Sequence, residues 1–576
     1  MNLLPFGDLP RPFPRRIVPS VVDLGDWCEV SPIFDLLAQR LSRAGTLPEL
    51  ELWLRDWGEL TAALDEAQAR RYIAMTCHTE SVEAERAYRQ FVEQVEPPAK
   101  KRHCDLERAY LGHPLRPSLP GVRYGIFDRN TVNHVSLFRE ANVALESAES
   151  RLGQQYNKLS GSMTVTFRGE EKTLVQMGRH LEDTDRLARE EAWRLVAERR
   201  WQDRDRFESL CDDLVALRSR MAGNADCGDF RGYAFRKLGR FDYTPEDCER
   251  FHEAIEQEVM PALRVLQQER REHLGLGSLR PWDLAVDPMN RPPLRPFETV
   301  DGLLAGAQRI FDRLDSGLGS EFRSLQGLRL LDLGNRRGKA PGGYLQPLSE
   351  SRQAFIFMNA IGVQRDVETL THEAGHAFHA LAVRDEEFQP YRGAPIEFCE
   401  VASMSMELLA NEFVEEFYPA PEARRARRHH LEGVLNFFPW MAAIDAFQHW
   451  VYTHPGHSRE DRSTAWQRLM DRFGGTVDWT GLEDFRSTQW HRQLHLYLYP
   501  FYYVEYGIAQ LGALQVWANY RRDPAESLAA YRAALALGGS CSLPELFATA
   551  GCRFDLSRKT LAPLIRLVRE ELARLG

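Results

Sequence analysis

The chain has 576 residues, 43% of them hydrophobic and 27% charged, with a formal net charge of -10. That length exceeds what one compact core usually sustains, so two lobes with a groove between them are expected. The charge is spread along the chain, with Arg-rich stretches alternating with Glu and Asp as on solvated helix faces, which argues against nucleic acid as a partner.

The opening MNLLPFGDLPRPFPRR carries Pro and Asp where a secretory signal needs an unbroken apolar stretch. No later run approaches about 18 apolar residues, so a membrane is not an expected partner. A cytoplasmic protein is the expectation, as a monomer or small homo-oligomer. Nine scattered cysteines, an odd number without a CxxC pair, are expected to be free thiols.

From Leu47 to Val95 apolar residues recur at spacings of three and four, which predicts two amphipathic helices forming a hairpin. A Pro-broken stretch, PSLPGVRYGIFD, then leads into helical pattern in NHVSLFREANVALESAESRLGQQYNKLSG. SMTVTFRGEEKTLV alternates as a short β-hairpin turning at Arg168-Gly169. Asp185 to Met221 reads as one long charged helix, and Thr244 as the N-cap of another. After the Pro-rich DPMNRPPLRP come Gly-rich turns and a strand in AFIFM. The division expected is an N-terminal helical region over 1–161 and a catalytic region over 162–576.

DVETLTHEAGHAFHAL contains His-Glu-x-x-His at His372, Glu373 and His376. In a helix this spacing sets two imidazoles on one face about 6 Å apart along the axis, as a tetrahedral metal accepts. Catalytic zinc needs three protein ligands and a position left to water, so a third ligand must come from another element. The next helix, PIEFCEVASMSMELLANEF, offers Glu397, Glu400 and Glu407, with Glu400 preferred and Glu397 second. Glu373, beside the first ligand, is placed to take a proton from zinc-activated water as general base. His379 is read as a packing residue or one supporting the ligands from behind.

The segments GKAPGGY, FIFMNAIGVQRDVETLTHEAGHAFH, EFCEVASMSMELL and HLYLYPFYYVEYGIAQLGAL, in that order, together resemble the M3 family of zinc oligopeptidases, on the oligoendopeptidase F branch. The resemblance is strong over the C-terminal half. It implies a mainly α fold of two helical lobes around a deep substrate channel, with a small β-sheet next to the zinc helix. It also implies one zinc ion held by His372, His376 and Glu400, and oligopeptide substrates cut at internal bonds. His495 with Tyr503 or Tyr506 is implied to stabilise the oxyanion, and Tyr502 stands beside them as a substrate-binding candidate.

AFIFMN, with Phe357 and Asn359, is expected to line the channel and bind an extended peptide by strand addition. Gly342 and Gly343 would let a neighbouring loop approach closely. A zinc carboxypeptidase of similar helical fold is the second reading; it needs a cationic clamp, for which Arg352, Arg365, Arg384, Arg392 and Arg492 are at hand but no spacing selects one. A non-catalytic peptide-binding protein is the third, opposed by the intact His372, Glu373, His376 and Glu400 set.

Overall fold

The computed structural model describes residues 3–576. They are mainly helical, with one two-stranded and one three-stranded sheet. Two compact units emerge, both discontinuous in sequence. The first comprises residues up to Ser136, Arg295–Ala426 and Gly512–Phe554; the second comprises Leu137–Leu294, Arg427–Leu511 and Asp555–Gly576. None of the nine cysteines forms a disulfide. Among the described residues no helix is long and apolar enough to cross a membrane.

In the first unit, Leu47–Cys77 is a 31-residue helix opened by a capping box in which Thr46 and Glu49 bind each other's backbone. The second arm of the expected hairpin, Val82–Gln90, does not stop at Val95. It continues through one wider turn, Phe91–Val95, into Glu96–Leu111, because Pro97 and Pro98 sit in the first turn of the new helix, where their missing N–H groups cost nothing. Helix Gly121–Leu137 begins inside the stretch read as Pro-broken, immediately after Pro120.

The strands are β1 (Thr164–Phe167), β2 (Glu170–Thr173), β3 (Leu331–Gly334), β4 (Tyr344–Leu348) and β5 (Gln353–Ala360). β1 and β2 form the expected hairpin, with Arg168 and Gly169 both at positive φ (52° and 83°), as a tight two-residue turn demands. The other sheet has the order β3-β5-β4, with β3 parallel and β4 antiparallel to β5. β5 is almost wholly buried, as its unbroken apolar run requires.

That order corrects the expectation for AFIFMN. β5 is paired on both sides and has no edge to offer an added strand; β4 is the edge strand beside it. Phe357 is fully buried and stacked on Tyr344 at 4.7 Å, and Asn359 Nδ2 donates to the carbonyls of Ala340 (2.8 Å) and Gly342 (2.9 Å). Both side chains therefore serve the sheet and its preceding loop. Glu66 fixes the β4–β5 turn to the long helix, accepting from Glu350 N (2.9 Å), Ser351 N (2.6 Å) and Ser351 Oγ (2.6 Å).

In the second unit the segment expected as one helix from Asp185 to Met221 breaks at Asp203 into Arg186–Gln202 and Arg204–Asn224. Asp203 takes φ −98°, ψ 8° and its carboxylate pairs with Arg199 and Arg206 on either side, so the charge pattern reads through the break. Helix Pro245–His273 starts where expected, with Thr244 Oγ1 accepting from Asp247 N.

Candidate metal centre

Two helices of the first unit build the site. The metal helix, Gln364–Ala382, follows β5 directly, and Asp366 Oδ2 collects the N–H groups of Ile361, Gly362 and Val363 at its start (2.8, 2.8 and 3.0 Å). The acidic helix, Ile396–Asn411, packs against it. They come close at Gly375, where an added Cβ would lie 2.6 Å from Ser403 Cα and 2.7 Å from the Ala402 carbonyl oxygen. Only glycine allows these backbones so near each other.

At that crossing His372, His376 and Glu400 bring one ligand atom each within 4.8 Å of the others. Glu400 Oε2 stands 3.5 Å from His372 Nε2 and 3.6 Å from His376 Nε2, and the two imidazoles lie 4.8 Å apart at 86°. The remaining ring nitrogens are tied off. His372 Nδ1 hydrogen-bonds Glu407 Oε1 at 2.6 Å, and His376 hydrogen-bonds the Cys399 backbone. Ser403 Oγ donates to Glu400 Oε2 at 3.1 Å. Two imidazole nitrogens and a carboxylate, each oriented by a partner behind it, suit a zinc-type ion and leave a further position open.

The three acidic candidates thus separate. Glu400 belongs to the cluster, Glu407 orients His372, and Glu397, though buried, lies outside the cluster. His379 is also outside it, buried at an edge of Phe398. Glu407 was within reach of sequence reasoning, as a carboxylate two turns beyond Glu400 on the same face. Ser403 carried no such signal.

Glu373 is 7% exposed and its carboxylate accepts from the Leu345 backbone on β4. Burial pushes its pKa up to about 7, against the attraction of His372 and with the repulsion of Glu400 and Glu407. Burial opposes protonation of His372, but the Glu407 hydrogen bond and the surrounding carboxylates outweigh it and raise the pKa to about 9; His376, where burial dominates, falls to about 4. Gly342 takes φ +100°, a turn conformation closed to most side chains, and a Cβ on Gly343 would press on Thr369 of the metal helix at 3.3 Å. Of the arginines considered as a carboxylate clamp, Arg352 and Arg392 donate to main-chain carbonyls of Arg384 and Ser349, the latter at 2.6 Å.

His495, Tyr502, Tyr503 and Tyr506 belong to the second unit and gather there. The rings of Tyr503, Tyr502 and Tyr506 lie 4.9, 5.8 and 5.8 Å from that of His495. Trp440 Nε1, a donor only, points at Gln493 Oε1 (2.9 Å), which turns the Gln493 amide nitrogen toward His495 Nδ1 (2.7 Å). Nδ1 therefore accepts, and the imidazole proton resides on Nε2. Burial lowers His495 to about 4 and raises Tyr503 to about 12, so both are neutral hydrogen-bond donors near neutral pH.

The segment carrying these residues is pinned by two buried arginines that sequence reasoning did not single out. Arg218 donates to Tyr452 Oη (2.6 Å) and to the carbonyls of Leu496 (3.0 Å) and Tyr497 (2.6 Å), and pairs with Glu149. Arg240 pairs with Glu505 at 2.8 Å and donates to the Phe501 carbonyl, beside the Phe501 backbone at φ 65°.

Comparison with known proteins agrees with this architecture. The chain is similar to PZ peptidase A, solved with an inhibitor, at 27% identity and a TM-score of 0.89 over 97% of this chain and 99% of that one. It is 22% identical over 326 residues to the group B oligopeptidase PepB of Streptococcus agalactiae serotype III (strain NEM316), covering 55% of this chain and 52% of that relative. It is 27% identical over 160 residues to an oligoendopeptidase F homolog of Lactococcus lactis subsp. lactis (strain IL1403), covering 28% of this chain and 26% of that relative. The sequence match thus spans about half, or less, of these curated relatives. Residues 179–564 match the model of peptidase family M3, a span that takes in both histidines of the metal helix, Glu400 and His495, and the chain belongs to that family.

Proposed function

We propose that this chain is a zinc metalloendopeptidase that hydrolyses internal bonds of short, unstructured peptides. The observation that carries the reading is the convergence of His372 Nε2, His376 Nε2 and a Glu400 oxygen at a helix crossing, with the buried Glu373 carboxylate next to the first ligand. Zinc held by these three side chains supplies Lewis-acid polarisation of the scissile carbonyl and lowers the pKa of water at the site.

Glu373 takes the proton of the attacking water and delivers it to the leaving amine. A buried carboxylate beside the first ligand is placed for both halves of that transfer. Leu345 N–H holds the carboxylate in place and ties the base to β4. The edge of β4 left unpaired by β5 is the place for an extended peptide to add as a strand, and the Gly342-Gly343 turn leads into it. Neutral His495, donating from Nε2, and the phenols of Tyr503 and Tyr506 stabilise the developing oxyanion, with Tyr502 contacting the peptide.

The test is cleavage of defined peptides of about 5 to 40 residues, with chelator, after zinc is restored, and with Glu373→Gln. Internal cuts that vanish with chelator, return with zinc and are absent in a folded, zinc-loaded Glu373→Gln chain are expected. Stepwise loss of C-terminal residues would replace this reading with the carboxypeptidase, and absence of any cleavage by the zinc-loaded chain would replace it with a binding protein.

A further inference from the structure

The second unit contains another group of metal-ligating side chains. Cys248 and His252 lie one turn apart on helix Pro245–His273, and Asp445 and His449 one turn apart on helix Ala420–Thr453. All four are buried, Cys248 and Asp445 completely. Ligand atoms of Cys248, Asp445 and His449 lie within 4.8 Å of one another, the separation that also defines the His372, His376 and Glu400 set. His449 Nε2 stands 3.3 Å from Asp445 Oδ2, against 3.5 and 3.6 Å for the corresponding distances at the first site. A tetrahedral ion with bonds of about 2.0–2.3 Å sets its ligand atoms roughly 3.3–3.8 Å apart.

Among the buried polar atoms of this group, Asp445 Oδ1 makes no hydrogen bond, and His449 Nε2 has only the 3.3 Å approach to Asp445 Oδ2. Buried polar atoms are rarely left so, and here both belong to good zinc ligands next to a thiol. Asp445 Oδ2, in contrast, accepts from His252 Nε2 at 2.9 Å, the arrangement in which an outer imidazole orients a ligating carboxylate. Phe501 and Phe235 meet His449 edge-on at 5.4 and 6.0 Å. A dication with one thiolate and one carboxylate is a neutral unit, whereas without it the buried Asp445 carboxylate relies on the imidazoles of His252 and His449 to offset its charge.

We propose that Cys248, Asp445 and His449 form a second zinc site, structural rather than catalytic, with His252 orienting Asp445. The ion clamps helices Pro245–His273 and Ala420–Thr453. Binding releases the Cys248 thiol proton to solvent. It also places the imidazole proton of His449 on Nδ1, where Arg231 Nη1 now stands at 3.5 Å; Glu249, 3.4 Å from the same guanidinium nitrogen, receives Arg231 when it turns away.

The experiment uses the full chain produced with added zinc, and separately with cobalt in its place. Metal analysis should find about two equivalents in the wild type, one in His376→Ala, which empties the first site, and none in His376→Ala/Cys248→Ser. With cobalt, a thiolate charge-transfer band should appear in the wild type and persist in His376→Ala, since the His372, His376 and Glu400 set contains no thiolate. Cys399→Ser, altering the thiol next to Glu400, should leave the band intact, so the assignment stands even if Cys248→Ser does not fold. A folded His376→Ala chain without metal or band would overturn the proposal. So would an equivalent of metal retained by a folded His376→Ala/Cys248→Ser chain, or a band that disappears with Cys399→Ser.

Discussion

Gly375→Ala tests whether the crossing of the metal and acidic helices sets the geometry of the metal centre. The new Cβ would begin 2.6 Å from Ser403 Cα, 2.7 Å from Ala402 O and 3.0 Å from Met406 Cβ. Carbon atoms pack at about 3.5–4.0 Å, so the helices must part by roughly 1 Å. The opposing atoms are largely backbone, and Ala402 O is also held by Tyr531 Oη at 2.7 Å, so no side-chain rotation relieves the clash. Overpacking of this kind costs about 1–3 kcal/mol. Glu400 lies one turn before Ser403 on the displaced helix, and metal–ligand distances tolerate only about 0.2 Å. The expected result is a zinc affinity at least ~10-fold weaker, the loss seen when ligand orientation is disturbed, together with a lowered urea midpoint. Gly433→Ala, exposed on a helix with no atom within 4 Å of the added Cβ, is the control and should stabilise by up to about 1 kcal/mol. Zinc affinity is read by competition with a chromophoric chelator. Wild-type affinity and midpoint in Gly375→Ala would refute the reasoning.

Glu407→Ala removes the acceptor on His372 Nδ1 and should weaken zinc binding about 10- to 100-fold, while Glu407→Gln, which can still accept there, should lose less; equal losses in the same competition assay would rule out a directional role. Gln493→Glu puts a carboxylate opposite His495 Nδ1, draws the proton from Nε2 and removes the proposed oxyanion donor, so kcat should fall by about 10²–10³ with little change in KM; a wild-type kcat on a fluorogenic peptide would exclude that relay. His103, whose Nδ1 accepts from Trp57 Nε1 at 2.8 Å, and His495 are both lowered to about 4, by burial first. Between pH 6.5 and 4 the unfolded chain therefore binds more protons than the native one, and stability should decline as pH falls, by roughly 1 kcal/mol per pH unit for each group, levelling off below about 4. Urea unfolding across that range checks the slope, which His103→Asn should flatten.

What the sequence reveals of the site follows from how each residue is placed. His372, Glu373 and His376 sit on one helix, so local spacing fixes their relation before any tertiary contact exists. The hairpin at Arg168-Gly169 and the cap at Thr244 are legible for the same reason. The place of β5 in its sheet is not local. An apolar run predicts a buried strand, but its central position depends on β3 arriving in parallel from Leu331–Gly334, and nothing in AFIFMN encodes that partner. The Asp203 break escapes notice because the apolar period and the alternating charge continue across it.

The choice among Glu397, Glu400 and Glu407 shows where spacing stops being informative. The three are separated by three and seven residues, so all lie toward one face of the acidic helix, and helical phase cannot rank them. The ranking depends on how far along that face the metal helix crosses, and Gly375 fixes the point by lying against Ala402 and Ser403. From there the helices run in opposite directions: His376 meets the backbone of Cys399 while His372, one turn earlier, meets Glu407, two turns later. Glu400, between those contacts, faces both Nε2 atoms. One small residue between the two histidines thus sets which carboxylate belongs to the metal cluster and which supports it from behind, a choice that helical phase alone does not display.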